Sequence, residues 1–577
     1  MRPHWITVRG AQAVGLLPLA GPRRLLPLAV FSAGAAVLGP LSTVPLGRVV
    51  AGGGLAPVVT LLVLLLGQEL CTALREPAGA AAARRIDGVL RARIRAAAAA
   101  MPPAGVERPQ VQADVRLALM GHRGRTAGTA AVAWVGEASR LASALLGAVV
   151  LAAHVWWLAA AALTLSIAQN RRIAATLVGP GGVESLTDSP EQVRRQRRAD
   201  YLAEVAGGPG AAKEIRVFGL EHLFIGRYVA AMRVFLTPQA RGRRAVVRGY
   251  GQVLALQLLN AAGVFATLAW LTAAGVLEAG ALAQCVLAAL LVFAYGAGSF
   301  QMFEIAYGST PYQAAMRVLS SASLSRASAE PAGQNMGREA IGLHGVTFAY
   351  PRSARPVLDG LDLRVRPGEH LAIVGLNGAG KTTLVKLLTG LYAPQRGTAA
   401  PVWDAAVVFQ DFVRYPLPLR DNIRLGDPGF DGTDADVLAA LEAVDALDLL
   451  EVLPAGLDTP LSRAFSGGRD LSGGQWQKVA LARALYALRA GRQVLIVDEP
   501  TAHLDARAER EVFDRLLERT RGRTLVLISH RFATVRHADR IAVLDGGTIA
   551  EQGSHANLLA LGGRYAHWYR LQAELIA

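Results

Sequence analysis

Long apolar runs without a charged residue set the first limit on the fold of this 577-residue chain. The run 249–277 is one example, and it exceeds the about 20 apolar residues that a helix needs to cross a hydrocarbon core about 30 Å thick. Hydrophobic residues make up 52% of the chain and charged residues 18%, against roughly 45–50% and about 25% in soluble proteins. This composition excludes a disordered chain and favours a membrane protein.

Six membrane-spanning helices are predicted, because one long run divides into two. The charge-free run 141–170 is interrupted at Trp156 and Trp157, and such side chains favour the membrane–water boundary, so we expect a helical hairpin that turns there. The predicted spans are 25–47, 50–74, 126–153, 155–178, 249–276 and 279–304.

The spans belong to the first of two predicted domains. A transmembrane domain is expected over 1–320, and a linker over the small polar residues 321–337, which Pro331 interrupts. The remaining residues, 338–577, predict a separate domain of α/β type. The few residues before the first span predict an interfacial helix rather than a secretion signal, and they leave no room for an N-terminal peptidase domain.

The net charge of +16 could indicate a nucleic-acid partner, but its distribution argues otherwise. Residues 1–330 contain 32 Lys and Arg against 16 Asp and Glu, whereas residues 331–577 contain 28 of each. Ten basic residues lie within 75–125 and fourteen within 171–248, in the two long loops between spans. Basic loops stay in the cytoplasm, so the charge predicts topology in the cytoplasmic membrane, and no nucleic-acid partner is expected.

Two charged residues lie inside the third predicted span, where a charge needs a partner or a function. Glu137 and Arg140 are three residues apart, share a helix face and can pair with each other. Another interpretation is that the helices continue into the cytosol, so that Glu69 and Glu137 lie beyond the lipid. Contact with a transported molecule is the alternative interpretation.

A strand-loop-helix pattern at 371–388 contains a complete GxxxxGKT motif. Its glycines let backbone N–H groups surround phosphate oxygens, Lys381 reaches the β- and γ-phosphates, and the Thr382 hydroxyl binds Mg²⁺. The pattern predicts an ATP site with Mg²⁺. Its predicted nucleotide-binding residues are Gly375, Asn377, Gly378, Gly380, Lys381, Thr382 and Thr383.

Two acidic residues complete the predicted site. The apolar run 494–497 predicts a buried parallel strand that ends at Asp498, which is expected to bind the metal ion. Glu499 follows directly, and its carboxylate is expected to orient or deprotonate the water that attacks the γ-phosphate.

The segment Ser472, Gly473, Gly474 and Gln475 indicates the family. Together with the phosphate loop and the acidic pair, and with Tyr350, Gln410, Asp505 and His530 in order, it resembles the ATP-binding cassette proteins over about 340–575. The resemblance implies that two cassettes bind head to tail, so that each ATP lies between one phosphate loop and the partner's Ser-Gly-Gly-Gln segment. It also implies that Tyr350 stacks on adenine, Gln410 senses Mg²⁺ and the attacking water, Asp505 crosses the dimer seam and His530 contacts the γ-phosphate.

Six spans fused ahead of one cassette resemble an exporter half-transporter, and the stretch 213–216 is similar to bacterial exporters of multidrug and peptide-antibiotic (lantibiotic) type. The expected function is ATP-driven export of an amphipathic or hydrophobic substrate by alternating access of a dimer. The partner is either an identical chain or a second half-transporter. The alternatives are a lipid flippase of the same architecture and a membrane protein that ATP gates or regulates.

Overall fold

The structure is a computed structural model, and it divides into two compact units, residues 1–101 with 105–328 and residues 329–577 with 102–104. The residues that it describes are 11–122, 124–178, 190–208, 210–328, 341–350, 353, 355–400, 402, 405–499, 506–530 and 532–574.

The first unit is helical throughout its described residues, apart from short connections and a 3₁₀ turn at Leu17–Ala20. Its helices are α1 Ala11–Val14, α2 Pro22–Val50, α3 Leu55–Ala99, α4 Pro103–Val106, α5 Pro109–Met120, α6 Ala127–Val178, α7 Pro190–Gly207, α8 Ala212–Val217, α9 Glu221–Ala273, α10 Ala279–Gly296 and α11 Phe300–Ser328. Within the described ranges, five segments are long and apolar enough to cross a membrane: Pro22–Val50, Leu55–Ala99, Ala127–Ala175, Val247–Ala273 and Ala279–Ala322.

Helix α6 consists of two arms that run back along each other. Val155 interrupts it with extended backbone angles, φ −142° and ψ 82°. Asn170 donates a hydrogen bond to Glu137, 33 positions earlier in the chain, at 3.1 Å. A straight helix would place these residues about 50 Å apart. The chain therefore reverses at Val155, and the number of membrane passes stays a prediction.

The carboxylate of Glu137 is buried, with 8% of the residue exposed, and three side chains donate to it. Besides the bond from Asn170, Arg140 Nη1 donates to Oε2 at 3.1 Å and Ser299 Oγ donates to the same oxygen at 2.8 Å. These donors come from both arms of α6 and from the connection between α10 and α11. One buried charge thus joins three segments of the bundle, in line with the predicted pairing of Glu137 with Arg140.

The connection between α10 and α11 exposes backbone carbonyls that side chains from other helices satisfy. Arg140 donates to Gly298 O at 2.9 Å and also to Ala294 O, and Tyr250 donates to Ala297 O at 2.9 Å. Free carbonyls at a helix end are costly where water is absent. The interruption between α10 and α11 is therefore stabilised by hydrogen bonds from side chains of other helices.

The helices extend well beyond the predicted spans. Helix α3 continues past the predicted end at residue 74 to Ala99, and α9 begins at Glu221, before the predicted start at residue 249. Both extensions contain charged residues, which a prediction from hydropathy leaves outside a span. The predicted span 279–304 is interrupted after Gly296, since Gly298 adopts a positive φ of 78°. Helix α11 runs to Ser328, so the first eight residues of the predicted linker are helical, because small residues without Gly or Pro do not end a helix. Residues 329–337 lie outside the described part.

The second unit contains two sheets and surrounding helices. Its helices are α12 Lys381–Leu388, α13 Leu419–Arg424, α14 Asp434–Ala443, α15 Leu449–Val452, α16 Gly473–Arg489, α17 Ala506–Arg519, α18 Phe532–Val535, α19 His555–Leu561 and α20 Arg564–Glu574. Its strands are β1 Ile341–Phe348, β2 Leu358–Val365, β3 His370–Val374, β4 Arg396–Ala400, β5 Ala405–Val408, β6 Val494–Asp498, β7 Thr524–Ile528, β8 Arg540–Asp545 and β9 Thr548–Gly553.

A six-stranded sheet in the order β5-β6-β7-β3-β8-β9 forms the centre of this unit, beside an antiparallel sheet in the order β2-β1-β4. All its pairs are parallel except β8 with β9. Strands β6 and β7 are buried at every position, as expected for a parallel sheet that is covered on both faces. In register, Asp498 pairs with Ile528, and Ile528 pairs with Ile373. The carboxyl ends of β6, β7 and β3 therefore meet at one edge, and the observed architecture confirms the predicted fold class.

We expect Glu137→Ala to lower the free energy of unfolding by about 3–5 kcal/mol, because it leaves the partly buried Arg140 without its counter-charge and leaves Asn170 and Ser299 without their acceptor. Thermal unfolding of the purified full chain in nanodiscs measures the change. Glu278→Ala is the matched control, since Glu278 is exposed and its side chain makes no cap bond at the start of α10. Equal losses in the two variants would contradict the structural role of Glu137.

Candidate nucleotide site

The phosphate loop lies at the carboxyl edge of the sheet, between β3 and α12. Gly380 adopts φ 103° directly before α12, and a Cβ built there would lie 2.9 Å from Leu358 Cδ2. Glycine is thus required both for the backbone angle and for the close approach to β2. The loop leads its backbone N–H groups into the start of α12, as the motif predicts.

Lys381 is the first residue of α12, and its ammonium group lies across the loop. Nζ donates to Gly375 O at 2.9 Å and to Leu376 O at 3.2 Å, and only 7% of the residue is exposed. Burial lowers the pKa of Lys381, while the carboxylates of Glu499 and Asp498 oppose that shift. A buried cation at the start of the helix, bound by two loop carbonyl oxygens and near the carboxylate of Glu499, is well placed to bind a phosphate oxygen.

Asp498 ends β6 and is 1% exposed, and neither of its carboxylate oxygens has a hydrogen-bond partner among the described residues. Burial raises the pKa of Asp498 to about 6, together with the adjacent charge of Glu499, although the nearby Thr382 hydroxyl and the Lys381 ammonium group oppose the shift. An unpaired buried carboxylate is costly unless a cation compensates it. This orphaned carboxylate fits a site for Mg²⁺, and Asp498 with the Thr382 hydroxyl would hold the ion.

Glu499 has an unusual backbone and gathers the polar side chains of the site. Its φ of 48° lies in the left-handed region, which costs a residue other than glycine of order 1–3 kcal/mol. Its carboxylate accepts from Gln410 Nε2 at 3.1 Å, and it lies 3.2 Å from His530 Nδ1 and 3.8 Å from Lys381 Nζ. Side chains from three separate parts of the chain thus lie within 4 Å of one carboxylate.

These groups surround a single cavity of about 430 Å³. Its lining brings together nine of the predicted residues, six from the phosphate loop and the three of the catalytic set, Gln410, Glu499 and His530. The lining residues are Val357, Asn377, Gly378, Gly380, Lys381, Thr382, Thr383, Gln410, Glu499 and His530.

Tyr350 lies beside this cavity but does not line it. Its hydroxyl is 3.1 Å from Thr383 Oγ1, and Lys386 Nζ lies 5.5 Å from the centre of its ring. Tyr350 also packs edge-to-face against Phe348 and Tyr392. The role of Tyr350 in adenine stacking stays a prediction, and the contact with Lys386 was not expected from the sequence.

The Ser-Gly-Gly-Gln segment starts α16 and does not line the cavity. Ser472 Oγ accepts from Gln475 N at 3.3 Å, and Gln475 Oε1 accepts from Ser472 N at 2.9 Å, which forms a reciprocal helix cap. Within one chain, none of the residues 472–475 is among those that line the cavity beside the phosphate loop. Asp505 lies outside the described residues.

Sequence reasoning missed Gln572. Its side chain accepts from Phe532 N at 2.6 Å and donates to His530 O at 3.2 Å. It therefore holds the backbone on both sides of position 531. No motif signals this contact, because 42 positions separate Gln572 from His530 and only the packing of α20 brings them together.

We expect Asp498→Asn to raise the melting temperature of the nucleotide-free protein at neutral pH and to remove the further rise that Mg²⁺ with nucleotide produces. The amide has the same shape without the uncompensated charge. Because folding raises the pKa of this carboxyl, the wild type loses stability as pH increases through about 6. That loss amounts to at most about 3 kcal/mol relative to the asparagine variant. Thermal unfolding from pH 4 to pH 8 measures it, and parallel curves for the two proteins would contradict the prediction.

The part of the chain that contains the phosphate loop and the acidic pair matches a known family. Residues 358–502 match the family described as ABC transporter. The ATP-dependent lipid A-core flippase of Burkholderia orbicola is 40% identical over 266 residues, which is 43% of this chain and 43% of that protein. The mycobactin import ATP-binding/permease protein IrtB of Mycobacterium bovis is 40% identical over 242 residues, 40% of each chain. This chain thus spans less than half the length of the curated relatives that it matches.

A solved structure of a bacterial Atm1-family ABC exporter with ATP bound matches almost the whole chain. It covers 96% of this chain and 98% of its own, with a TM-score of 0.74 and 23% identity, and therefore shows the fold. The chain is a multi-pass membrane protein that contains an ABC transporter domain in its second unit, and its fold is that of an ABC exporter.

Proposed function

We propose that this chain is a half-transporter that pairs with a second copy, or with a related half-transporter, and uses ATP hydrolysis to export an amphipathic or hydrophobic substrate across the cytoplasmic membrane. The observation that carries the proposal is the divided nucleotide site. One chain places Lys381, Glu499 and His530 around one cavity, while its Ser472 segment lies elsewhere.

The division of the site favours a dimer. The N-terminus of the 17-residue helix α16 offers N–H groups and a positive dipole end. In a head-to-tail pair it would face the phosphates held by the partner's loop, as the family resemblance implies. Each interface would then contain one complete site, and the pair would hydrolyse ATP at two sites.

The residues of the site suit hydrolysis of the γ-phosphate. Glu499 is held by Gln410 and His530, so its carboxylate has a defined direction from which to accept a proton from the attacking water. Lys381 and the loop N–H groups bind the β- and γ-phosphates, and His530 contacts the γ-phosphate. Mg²⁺, held by Asp498 and Thr382 with Gln410 nearby, would supply charge neutralisation at the transferred group.

ATP drives transport only if it binds one conformation of the dimer better than the other. We infer that two bound ATP molecules close the cassettes and open the helical bundle outward, and that hydrolysis resets the dimer. The basic loops between spans, with the N-terminus and the cassette, face the cytoplasm in this scheme, where ATP is available.

The substrate class is proposed only as amphipathic or hydrophobic. The named relatives include a lipid flippase and a mycobactin importer, and both resemble this chain over less than half its length. Lipid translocation by the same architecture is the second candidate function, which the flippase relative favours.

We expect Glu499→Gln to retain ATP but to lower steady-state ATP hydrolysis by at least about 100-fold, since the amide does not accept a proton. Phosphate release from the purified dimer in nanodiscs measures turnover, and a fluorescent ATP analogue measures binding. Glu442→Gln is the matched control, because Glu442 is an exposed glutamate of α14, outside the cavity.

Inside-out vesicles that contain the wild type should also accumulate a labelled lipid or hydrophobic dye only with ATP, and vesicles with the Glu499→Gln variant should not. Normal hydrolysis in the variant would refute the role of Glu499. Hydrolysis by the wild type without movement of any tested probe would favour a regulatory protein over a transporter.

A further inference from the structure

A basic cavity lies where the chain enters its first membrane-spanning helix. It measures about 540 Å³, is open to the surface, and is lined by residues of the 3₁₀ turn Leu17–Ala20, the start of α2 and one residue of α3. Its lining has two parts, an apolar wall and three arginines. The wall contains Leu19, Ala20 and Pro22, and the arginines are Arg23, Arg24 and Arg85.

The charge of this cavity is not balanced from within. No carboxylate lines it, and no ion pair of the three arginines occurs among the described residues. The nearest acid along α3, Asp87, accepts instead from Thr126 Oγ1 at 2.6 Å and from Gly128 N at 2.9 Å. All three arginines are exposed, so an anion from outside the protein can reach them, and their planar forks match phosphate oxygens.

The position of the cavity indicates the kind of anion. Helix α2 is one of the apolar segments that can cross a membrane, and its apolar sequence starts at Leu25, directly after the arginines. The cavity thus lies at the end of a span, at the level of lipid headgroups. Gly21, with φ 76°, turns the chain there between the 3₁₀ segment and α2. The apolar wall lies beside the arginines, so the site offers surfaces for both a phosphate and the adjoining hydrocarbon.

We propose that this cavity binds the headgroup phosphate of an anionic phospholipid of the surrounding leaflet. The lipid neutralises Arg23, Arg24 and Arg85 together and joins the first span to α3. This site is separate from the nucleotide site and does not depend on which substrate the protein transports.

Native mass spectrometry of the full-length protein tests this assignment, with phosphatidylglycerol and phosphatidylcholine as probes. The triple variant Arg23→Ala/Arg24→Ala/Arg85→Ala should bind phosphatidylglycerol about 100-fold more weakly than the wild type, from the loss of three arginines near a membrane surface. The matched control is Arg84→Ala/Arg93→Ala/Arg95→Ala, which removes the same charge from exposed positions of α3 outside the cavity.

Retention of phosphatidylglycerol by the control and its loss from the cavity variant would support the site. Equal losses would show diffuse attraction and overturn it, and so would equal binding of phosphatidylcholine. Displacement of the lipid by millimolar inorganic phosphate would also overturn it, since the cavity would then be a phosphate site. If the alanine variant unfolds, Arg23→Gln/Arg24→Gln/Arg85→Gln keeps the bulk and tests the same charges.

A second, independent inference concerns Gln572 in α20. The two atoms of its amide bond the backbone on both sides of position 531, at His530 O and Phe532 N. Helix α20 is firmly packed, since Tyr565 is fully buried, lies 2.8 Å from His555 Nδ1 and packs against Phe532 with ring centres 5.5 Å apart. The amide is thus a fixed clamp on the segment that carries His530.

We infer that Gln572 is a positioning residue for ATP hydrolysis that acts through His530, and this inference rests on the proposed function. Without the clamp, the His530 ring loses its fixed approach to Glu499, which it now meets at 3.2 Å. ATP binding is unaffected, because Gln572 does not line the nucleotide cavity.

In the full-length protein, Gln572→Ala should lower the kcat of ATP hydrolysis about tenfold, the value of one or two hydrogen bonds, with an unchanged KM. Arg570→Ala, an exposed neighbour on α20, should not change kcat. Gln572→Glu keeps an acceptor for Phe532 N but loses the donor to His530 O. Its kcat should therefore lie between those of the wild type and Gln572→Ala. In a His530→Ala background, Gln572→Ala should have no further effect on kcat.

Additive losses in that double variant would overturn the positioning role. An unchanged kcat in Gln572→Ala, beside an impaired His530→Ala variant, would overturn it as well and leave the proposed function intact. An unchanged kcat in His530→Ala would instead contradict the role of His530 itself.

Discussion

Compensation of buried charge decides how both units of this protein are built. Glu137 in the helical unit and Asp498 in the cassette are both buried carboxylates, 8% and 1% exposed. Glu137 receives three hydrogen bonds, one of them from Arg140, and these donors join the α6 hairpin to the break between α10 and α11. Asp498 receives none from the described residues. The first charge is satisfied within the fold and stabilises it, whereas the second is left for a ligand.

Both units also contain backbone in an unfavourable local state, which the surrounding structure supports in different ways. At the helix break, the carbonyls of Ala294, Ala297 and Gly298 are bound by Arg140 and Tyr250, so the interruption has its own supports. At the nucleotide site, strain at Glu499 and the positive φ of Gly380 are held by a parallel sheet that is buried on both faces. Unfavourable local geometry occurs where the surrounding packing outweighs its cost. In the cassette it lies beside the cavity at which we propose that phosphate binds.

Much of the site could be predicted from the sequence, because a phosphate loop and a strand that ends in two acids require particular residues at short spacings. The geometry joins Lys381, Gln410, Glu499 and His530 around one cavity, although their separate roles stay predictions. No sequence motif predicts the hydrogen bonds of Gln572 to the backbone beside His530, because they depend on where a helix that is distant in the sequence packs. The extent of α11 was misjudged for a related reason, because small polar residues suit both a linker and a helix when Gly and Pro are absent.

The sequence by itself determined the membrane character, the two-part organisation and the chemistry of the nucleotide site, since each depends on composition or on motifs whose residues lie close together in the chain. Hydropathy and short spacings are local properties. Only the tertiary structure decided that Asn170 returns to Glu137, that three arginines line one cavity at the first span, and that Gln572 bonds the backbone beside His530. These relations join residues that are distant in sequence, so the packing of helices and the register of strands determine them.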